Sequence, residues 1–286
     1  MEKCFFKVIF ESVYFGYDYS KKNEVYTLKD LNLNIESSNE FIALVGSTGS
    51  GKSTLVQLIN ALLLPNKGLI RTYNGIINNK VKMKLKPIRQ RIGLVFQFPE
   101  YQLFEETVYK ELCFGPRNFG LSNFDERINN AINAVNLDIS ILQKSPFTLS
   151  GGQQRKVAIA SILASTPNIL ILDEPTAGLD PYSKKEFLKF LKQLNEELAT
   201  TIILITHDMD IVSEYAKRVV VLNEGSIIYD DDNKKLFKNK EILNSANLDL
   251  PQFSKLIRTI NKQLNLNFDE AKYTIDEMIQ ELTKNE

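Results

Sequence analysis

Short apolar runs, rich in β-branched residues, recur along the chain and end at polar or glycine-rich segments. They occupy residues 41–46, 169–173, 201–206 and 219–223. Such runs are typical of strands that are covered on both faces, as in a parallel sheet flanked by helices. Between the second and the third run, residues 184–199 carry apolar side chains every three or four positions, which predicts a crossover helix. The pattern therefore predicts an α/β fold with a mainly parallel sheet.

Three other parts of the chain have different patterns. Residues 5–40 alternate between apolar and polar positions, which predicts an antiparallel sheet beside the main one. Residues 98–145 combine aromatic and charged residues with helical spacing, which predicts a helical subdomain. After Gly225 a polar break, DDDNKK, precedes a tail in which we predict several short amphipathic helices. We therefore divide the chain into a main domain, residues 1–228, and a small C-terminal helical extension, residues 229–286.

Composition narrows the class of protein. The chain has 286 residues, of which 43% are hydrophobic and 24% are charged, as expected of one large globular domain with an appendage. Its 35 basic and 35 acidic residues cancel, so the net charge does not indicate a nucleic-acid partner. Cys4 and Cys113 lie far apart without metal-ligand spacing, which favours a reducing, cytoplasmic compartment. No run approaches the ~20 apolar residues that span a bilayer, so a membrane role would require docking on another protein.

A glycine-rich segment follows the first apolar run. It matches the pattern G-x-x-x-x-G-K-[ST], in which backbone amides surround phosphates and the following helix directs its N-terminus at them. The lysine of this pattern reaches the β- and γ-phosphates, and the serine hydroxyl coordinates Mg²⁺. The alternative is a flexible Gly/Ser turn, but the position between a predicted strand and a predicted helix favours phosphate binding. We therefore predict binding of ATP and Mg²⁺, with contacts from Gly46, Ser47, Thr48, Gly49, Ser50, Gly51, Lys52, Ser53 and Thr54.

Polar residues at or after the ends of other predicted strands are candidates for the chemistry. Asp173 is placed to hold the Mg²⁺ shell and Glu174 to polarise the attacking water, although Asp-Glu at a strand end is also found in plain turns. A lone histidine is usually structural, but His207 follows a parallel strand, where ligand sites of α/β proteins lie. We assign it to the γ-phosphate and to orienting water. Gln97 ends the predicted strand 92–97 and is either a surface residue or a residue that reaches Mg²⁺ or the attacking water. Tyr17 is either a core residue or an adenine-stacking ring.

A second candidate anion site begins another predicted helix. Residues 149–153, LSGGQ, place the Ser150 hydroxyl and the amides of Gly151 and Gly152 at a helix N-terminus, which attracts anions. Ser-Gly-Gly alone is a common loop sequence. Because one phosphate loop already serves one nucleotide, a second anion site suggests that the complete site is shared between two subunits.

In this order, the motifs resemble those of ABC (ATP-binding cassette) proteins over residues 17–225. The resemblance implies a P-loop NTPase fold with an ABC ATPase core. It assigns the adenine-stacking, Q-loop, Walker B, catalytic and switch positions to Tyr17, Gln97, Asp173, Glu174 and His207, respectively. In that family two subunits enclose two ATP molecules, and each contributes its signature motif to the site of the other. The residues that the resemblance assigns to this shared site are Ser150, Gly151, Gly152, Gln153 and, in the D-loop, Asp180.

A narrower resemblance links the chain to the ATPases of energy-coupling factor (ECF) vitamin transporters. Residues 96–120 and the tail after residue 250 are similar to these proteins, most closely to the second of their paired ATPases. The resemblance implies a dimer with a homologous ATPase subunit at the cytoplasmic face of the cell membrane. It also implies a transmembrane coupling protein and a membrane subunit that binds a vitamin or a transition-metal ion, without nucleic acid.

The ECF resemblance also assigns roles to two segments. It makes residues 96–104 the groove for the coupling helices and residues 229–286 a dimerisation extension. Inward packing of the apolar side chains is the alternative for the groove; these are Phe98, Tyr101, Leu103 and Phe104.

Two other classes of protein compete with a transport ATPase. One is an ABC protein that works on DNA or ribosomes, but the single cassette without a long coiled-coil insertion and the neutral charge disfavour it. The other is a regulator that binds ATP without hydrolysing it, against which the presence of both Glu174 and His207 argues.

Overall fold

The computed structural model describes residues 6–19, 24–36, 38–79, 84–264 and 268. The strands are β1 (Lys7–Phe15), β2 (Leu28–Glu36), β3 (Phe41–Val45), β4 (Lys67–Thr72), β5 (Gly75–Ile77), β6 (Ile92–Val95), β7 (Ile169–Asp173), β8 (Thr201–Ile205), β9 (Arg218–Asn223) and β10 (Ser226–Asp232). The helices are α1 (Lys52–Ile59), α2 (Lys86–Arg91), α3 (Val108–Phe119), α4 (Phe124–Ala134), α5 (Gly151–Leu163), α6 (Pro181–Leu198), α7 (Met209–Tyr215), α8 (Asn233–Lys238), α9 (Lys240–Ser245) and α10 (Gln252–Leu264).

A six-stranded sheet in the order β10-β9-β3-β8-β7-β6 lies at the centre of the fold. Strands β9, β3, β8, β7 and β6 are mutually parallel, and β10 adds an antiparallel edge. Successive side chains of β3 enter different cores: Ala43 packs on the side of α3 to α6, and Ile42 packs on the side of α1 and β1. Because both faces are covered, the predicted strands are apolar at nearly every position. The α/β fold with a mainly parallel sheet is thus confirmed.

The four apolar runs and the crossover helix are found where the sequence predicts them. They form β3, β7, β8 and β9, and the helix is α6. One boundary is wrong: β6 ends at Val95, so Gln97 lies two residues beyond the strand and not at its end. The strand is shorter than the apolar pattern because Phe96, at 39% exposed, no longer packs between the two layers.

The predicted antiparallel sheet forms beside the main one, with strand order β2-β1-β4-β5. Strands β1 and β2 account for the alternating pattern of residues 5–40, and Phe10 pairs with Leu33. The sequence pattern does not predict β4 and β5, because they are short and carry few buried residues. Helices α3 and α4 lie within residues 98–145, where helices are predicted, and both pack against α5.

The C-terminal part differs from the prediction at its start. The predicted boundary after residue 228 falls inside β10, and the polar segment DDDNKK contains the end of that strand and the first residues of α8. The carboxylate of Asp232 accepts hydrogen bonds from the amides of Lys234 and Lys235, so it caps a helix instead of breaking the structure. Of the predicted tail helices, α10 is present, and residues 265–267 and 269–286 lie outside the described residues. Cys4 also lies outside them.

Across the described ranges, no helix is both long enough and apolar enough to cross a bilayer.

A buried asparagine connects the crossover helix to the main sheet. Asn195 on α6 donates from Nδ2 to the carbonyl oxygens of Thr200 at 2.8 Å and of Asn39 and Glu40 at 3.3 Å. It thus joins the end of α6 to the chain segments that enter β8 and β3.

Replacing this residue should therefore destabilise the fold. We expect Asn195→Ala to lower the free energy of unfolding by about 1 to 3 kcal/mol, because part-buried carbonyl groups lose a donor. Gln193→Ala, an exposed change on the same helix, should alter it by less than about 0.5 kcal/mol. Urea denaturation followed by circular dichroism measures both, and equal stability of the two variants would contradict the assignment.

Candidate nucleotide site

The glycine-rich loop owes its shape to close contacts with both sheets. Gly46 follows β3 with φ of 146°, and a Cβ at this position would lie 2.0 Å from the carbonyl oxygen of Leu222 on β9. Gly51 has φ of 104°, and its Cβ would lie 2.6 Å from the Leu28 side chain on β2. Only glycine meets both the conformational and the steric requirement. The loop therefore keeps its backbone amides at the surface of a narrow turn, as phosphate binding requires.

The lysine of the loop lies inside the turn. Lys52 begins α1, and its Nζ donates to the carbonyl oxygens of Gly46 and Ser47, each at 2.9 Å. Burial lowers the pKa of Lys52, although the charges of Glu174 and Asp173 act in the opposite direction. The ammonium group is thus held within the loop, where it can bind a phosphate.

The predicted metal ligands come together. Ser53 donates from Oγ to Oδ2 of Asp173, the last residue of β7, at 2.8 Å. Gln97 lines the same cleft. Among the described residues there is no group of three or more His, Cys, Asp or Glu side chains that could hold a metal ion. One carboxylate, one hydroxyl and one amide oxygen suit Mg²⁺, which usually completes its shell with water and substrate phosphates.

The predicted catalytic pair is in direct contact. Nδ1 of His207 lies 2.9 Å from Oε1 of Glu174, and the two side chains are 83% and 19% exposed, respectively. Glu174 adopts φ of 47°, in the left-handed region, and its amide donates to the carbonyl oxygen of Ile205 on β8. Strained backbone of this kind persists only where the surroundings hold it, often at functional sites. The Glu174 side chain lines the same cleft as the phosphate loop.

These groups line one cleft of about 560 Å³. Its predicted members are Thr48, Gly49, Gly51, Lys52, Ser53, Thr54, Gln97, Asp173, Glu174 and His207, and its other members are Thr27, Ala177 and Ile205. Tyr17 lies beside the cleft: its hydroxyl is 3.1 Å from Oγ1 of Thr54, and its ring packs edge-on against Phe15. The ring is 62% exposed, so one face is open to a base.

The signature residues and the D-loop aspartate do not lie in this cleft. Ser150 caps α5: its Oγ accepts from the Gln153 amide, and the Gln153 side chain accepts from the Ser150 amide. Asp180 caps α6 by accepting from the amides of Tyr182 and Ser183. Ser150 and Gln153 border a separate cavity of about 810 Å³. Their role in a site shared with a second subunit therefore remains a prediction, as it does for Gly151, Gly152 and Asp180.

The structure also reveals a supporting ion pair that the sequence does not predict. Lys184 on α6 pairs with Asp208, which directly follows His207 and caps α7. Burial raises the pKa of Asp208, but the hydrogen bond and charge of Lys184 outweigh it, so the pKa lies below its usual value. Asp208 precedes a helix and could have been identified as an N-cap. Lys184 carries no local signal, because its partner is distant in sequence.

A parallel sheet with a phosphate loop, a Walker B carboxylate and a glutamate–histidine pair at one edge defines an ATPase of the P-loop class. A family model described as ABC transporter matches residues 28–177. The chain is 47% identical over 260 residues to an energy-coupling factor transporter ATP-binding protein EcfA2 from Clostridium tetani, covering 90% of this chain and 89% of the relative. It is 39% identical over 281 residues to the EcfA2 protein of Bacillus cereus, covering 97% and 96%.

Solved structures agree with these relatives. CbiO1 from Clostridium perfringens, described as part of the ABC transporter complex CbiONQ, has a TM-score of 0.72 and 36% identity, covering 90% of this chain and 95% of the other. The cassette MJ0796, in a dimer bound to ADP and Pi, has a TM-score of 0.67 and 30% identity, covering 79% and 98%. The chain belongs to the ABC transporter ATPases and, within them, to the energy-coupling factor transporter ATP-binding proteins. It binds nucleotide and hydrolyses ATP.

The lowered pKa of Lys52 leads to a prediction about pH. As the pH rises, the affinity for ATP should fall at a lower pH than it would if Lys52 had the ordinary lysine pKa of about 10.4. The reason is that a neutral amine cannot pair with phosphate. Titration of a fluorescent ATP analogue between about pH 7 and pH 10 measures this, and Lys52→Arg, which stays charged, should show a flat profile. A wild-type profile as flat as that of the variant would contradict the predicted contact.

Proposed function

We propose that this chain is the ATP-hydrolysing subunit of an ECF-type importer and acts at the cytoplasmic face of the cell membrane. It works as a dimer with a homologous ATPase subunit and drives a transmembrane coupling protein and a substrate-binding membrane subunit. The cargo is a vitamin or a metal ion. The names of the relatives support the type of importer, and the contact between Glu174 and His207 beside the phosphate loop supports the hydrolysis step.

The residues of the cleft have different roles in ATP hydrolysis. The loop amides and Lys52 hold the phosphates of ATP, and Tyr17 offers its ring to the adenine. Ser53, Asp173 and Gln97 supply oxygen ligands for Mg²⁺, which neutralises charge on the phosphates when bound.

Glu174 and His207 activate the attacking water. Glu174 accepts the proton of the attacking water, and His207 orients the carboxylate through its contact at 2.9 Å. The same histidine would bind the γ-phosphate. Negative charge that develops on the transferred phosphoryl group requires donors already in position, and Lys52 is one of them.

A second subunit would complete the site. Ser150, with the first amides of α5, forms a helix N-terminus that attracts anions, but it borders a different cavity from the cleft. Head-to-tail pairing would bring the signature residues 150–153 and Asp180 of each chain to the nucleotide of the other. The dimeric cassette MJ0796 supports this arrangement.

The C-terminal extension contacts the main domain. The Gln252 amide, at the start of α10, donates a hydrogen bond to Asp210 on α7.

A groove on the helical side would receive the coupling protein. Its cavity of about 480 Å³ lies between the end of α1, the segment after β6, α3 and α5, and its aromatic members include Phe96, Phe104 and Phe114. Phe104 is 57% exposed and Tyr101 is 84% exposed, whereas Leu103 packs in the core. The aromatic rings therefore remain open to a partner, and only Leu103 follows the alternative of inward packing.

The catalytic assignment is tested with Glu174→Gln. We expect turnover to fall by at least about 100-fold, as for loss of a general base, while ATP binding persists. Glu224→Gln is the matched control, because Glu224 is also a left-handed glutamate that follows a strand, but lies in the exposed β9–β10 turn. Phosphate release and ATP binding are measured for both. Near wild-type turnover in Glu174→Gln would disprove the assignment.

The groove is tested with Phe104→Ser. Phe104 packs edge-on against Phe114 with ring centroids 4.8 Å apart, and its loss removes apolar area from the groove. We expect the variant to copurify with the membrane coupling protein at least about tenfold less well, as for a loss of 1.4 kcal/mol or more in binding. Tyr73→Ser, at an exposed aromatic residue in the β4–β5 turn, should have no effect. ATP binding by both variants verifies folding, and equal recovery of the two complexes would contradict the proposal.

A further inference from the structure

One buried guanidinium connects its own helix to two other segments, and the three carry different parts of the proposed function. Arg155 on α5 is only 6% exposed. It makes a bidentate ion pair with Glu100, with Nη2–Oε1 and Nε–Oε2 distances of 3.0 and 3.2 Å. Its Nη1 also donates to the carbonyl oxygen of Pro175 at 2.9 Å. Nη1 and Nη2 both donate to the carbonyl oxygen of Ala177 at 3.4 Å.

Each of the three segments leads to a functional surface. Glu100 belongs to the 3-10 turn Pro99–Gln102, which lies between Gln97, at the nucleotide cleft, and Phe104, at the groove. Pro175 directly follows the catalytic glutamate, and Ala177 lines the nucleotide cleft. Helix α5 begins at the signature residues. A movement of the turn, of the loop or of α5 therefore changes the contacts through which Arg155 connects them.

The chemistry of the Arg155 contacts favours a role in transmitting movement between segments over a role in packing alone. A guanidinium is planar and rigid and holds several acceptors in fixed directions at once. Its charge is buried, so breaking one contact without moving the others leaves an unpaired polar group at high energetic cost. Burial raises the pKa of Glu100, yet the hydrogen bond and charge of Arg155 bring it below its usual value, so the carboxylate is ionised at neutral pH.

On the basis of the proposed function, we propose that Arg155 and Glu100 are positioning residues that couple the membrane-facing groove to ATP hydrolysis. Occupation of the groove by the coupling protein shifts the turn at Glu100. The guanidinium passes this shift to the loop that follows Glu174 and to the helix that begins at the signature residues. Arg155 itself lines neither the nucleotide cleft nor the groove, but it borders the cavity of Ser150 and Gln153.

The test compares ATP hydrolysis by the complete complex, purified with its membrane subunits, with that of the ATPase subunits alone. The ratio of the two rates measures coupling. Glu100→Gln and Arg155→Lys should each lower this ratio by at least about fivefold, the lower end of the usual range for coupling between sites. The double variant should lower it little further, because both changes break one shared contact.

A matched control exists near the opposite edge of the main sheet. Arg218 on β9 also makes a bidentate ion pair, with Asp230 at 2.6 and 2.8 Å, and donates to the carbonyl oxygen of Asn34. It touches neither the turn at Glu100 nor the loop after Glu174. Arg218→Lys should leave the coupling ratio unchanged. If Glu100→Gln also leaves the ratio unchanged, Arg155 and Glu100 have only a structural role and the proposal is wrong. The same conclusion holds if the rates of the complete complex and of the ATPase subunits alone fall in parallel at a constant ratio.

Hydrogen–deuterium exchange on the wild-type complex provides a second test that does not depend on a variant. Addition of the membrane subunits to the ATPase dimer should change exchange at the turn 99–102 and at residues 174–180 together. A change confined to the turn would overturn the coupling role. Absence of any membrane partner for the wild-type chain would instead disprove the proposed function, so the two failures are distinguishable.

Discussion

The parallel pairing of β3, β7 and β8 is the constraint on which the candidate site depends. Because these strands run in the same direction, the chain leaves all three at one edge of the sheet, into the phosphate loop, Glu174 and His207. The register pairs Asp173 with Ile205, which brings the side chains of Glu174 and His207 in the two following segments into contact. A slip of one residue would turn every side chain of a strand to the other face and would separate these groups.

Close packing against both sheets then determines the shape of the loop. A side chain at Gly46 would collide with β9, and one at Gly51 would collide with the antiparallel sheet, so both layers limit the path of the backbone. The same enclosure removes water from Lys52 and lowers its pKa, while the neighbouring carboxylates oppose the shift. The site thus combines one half-buried cation with two carboxylates and a set of backbone amides, a balance of charge that suits a polyphosphate and its metal ion.

Ion pairs between distant segments hold the surroundings of the site. Arg155 joins α5 to the turn at Glu100, and Lys184 joins α6 to the residue after His207. Such contacts differ from the exposed pair of Lys110 and Glu106, which contributes little to stability in water. A buried or half-buried charge must keep its partner, so these pairs limit how the loops around the nucleotide can move relative to the helical side.

The sequence alone determined the class of fold and most of the chemistry, because the strands and the phosphate loop depend on local residue order. Apolar runs identify buried parallel strands, and the glycine, lysine and carboxylate positions that follow them identify a nucleotide site. The weakly patterned strands β4 and β5 and the end of β6 before Gln97 required the tertiary structure, since long-range packing overrides weak local preferences. The same holds for the partners of Arg155 and Lys184 and for the contact between Ser53 and Asp173. Residues 20 to 120 positions apart meet there only because the fold brings their segments together, and no local pattern encodes which partner a given cation will contact.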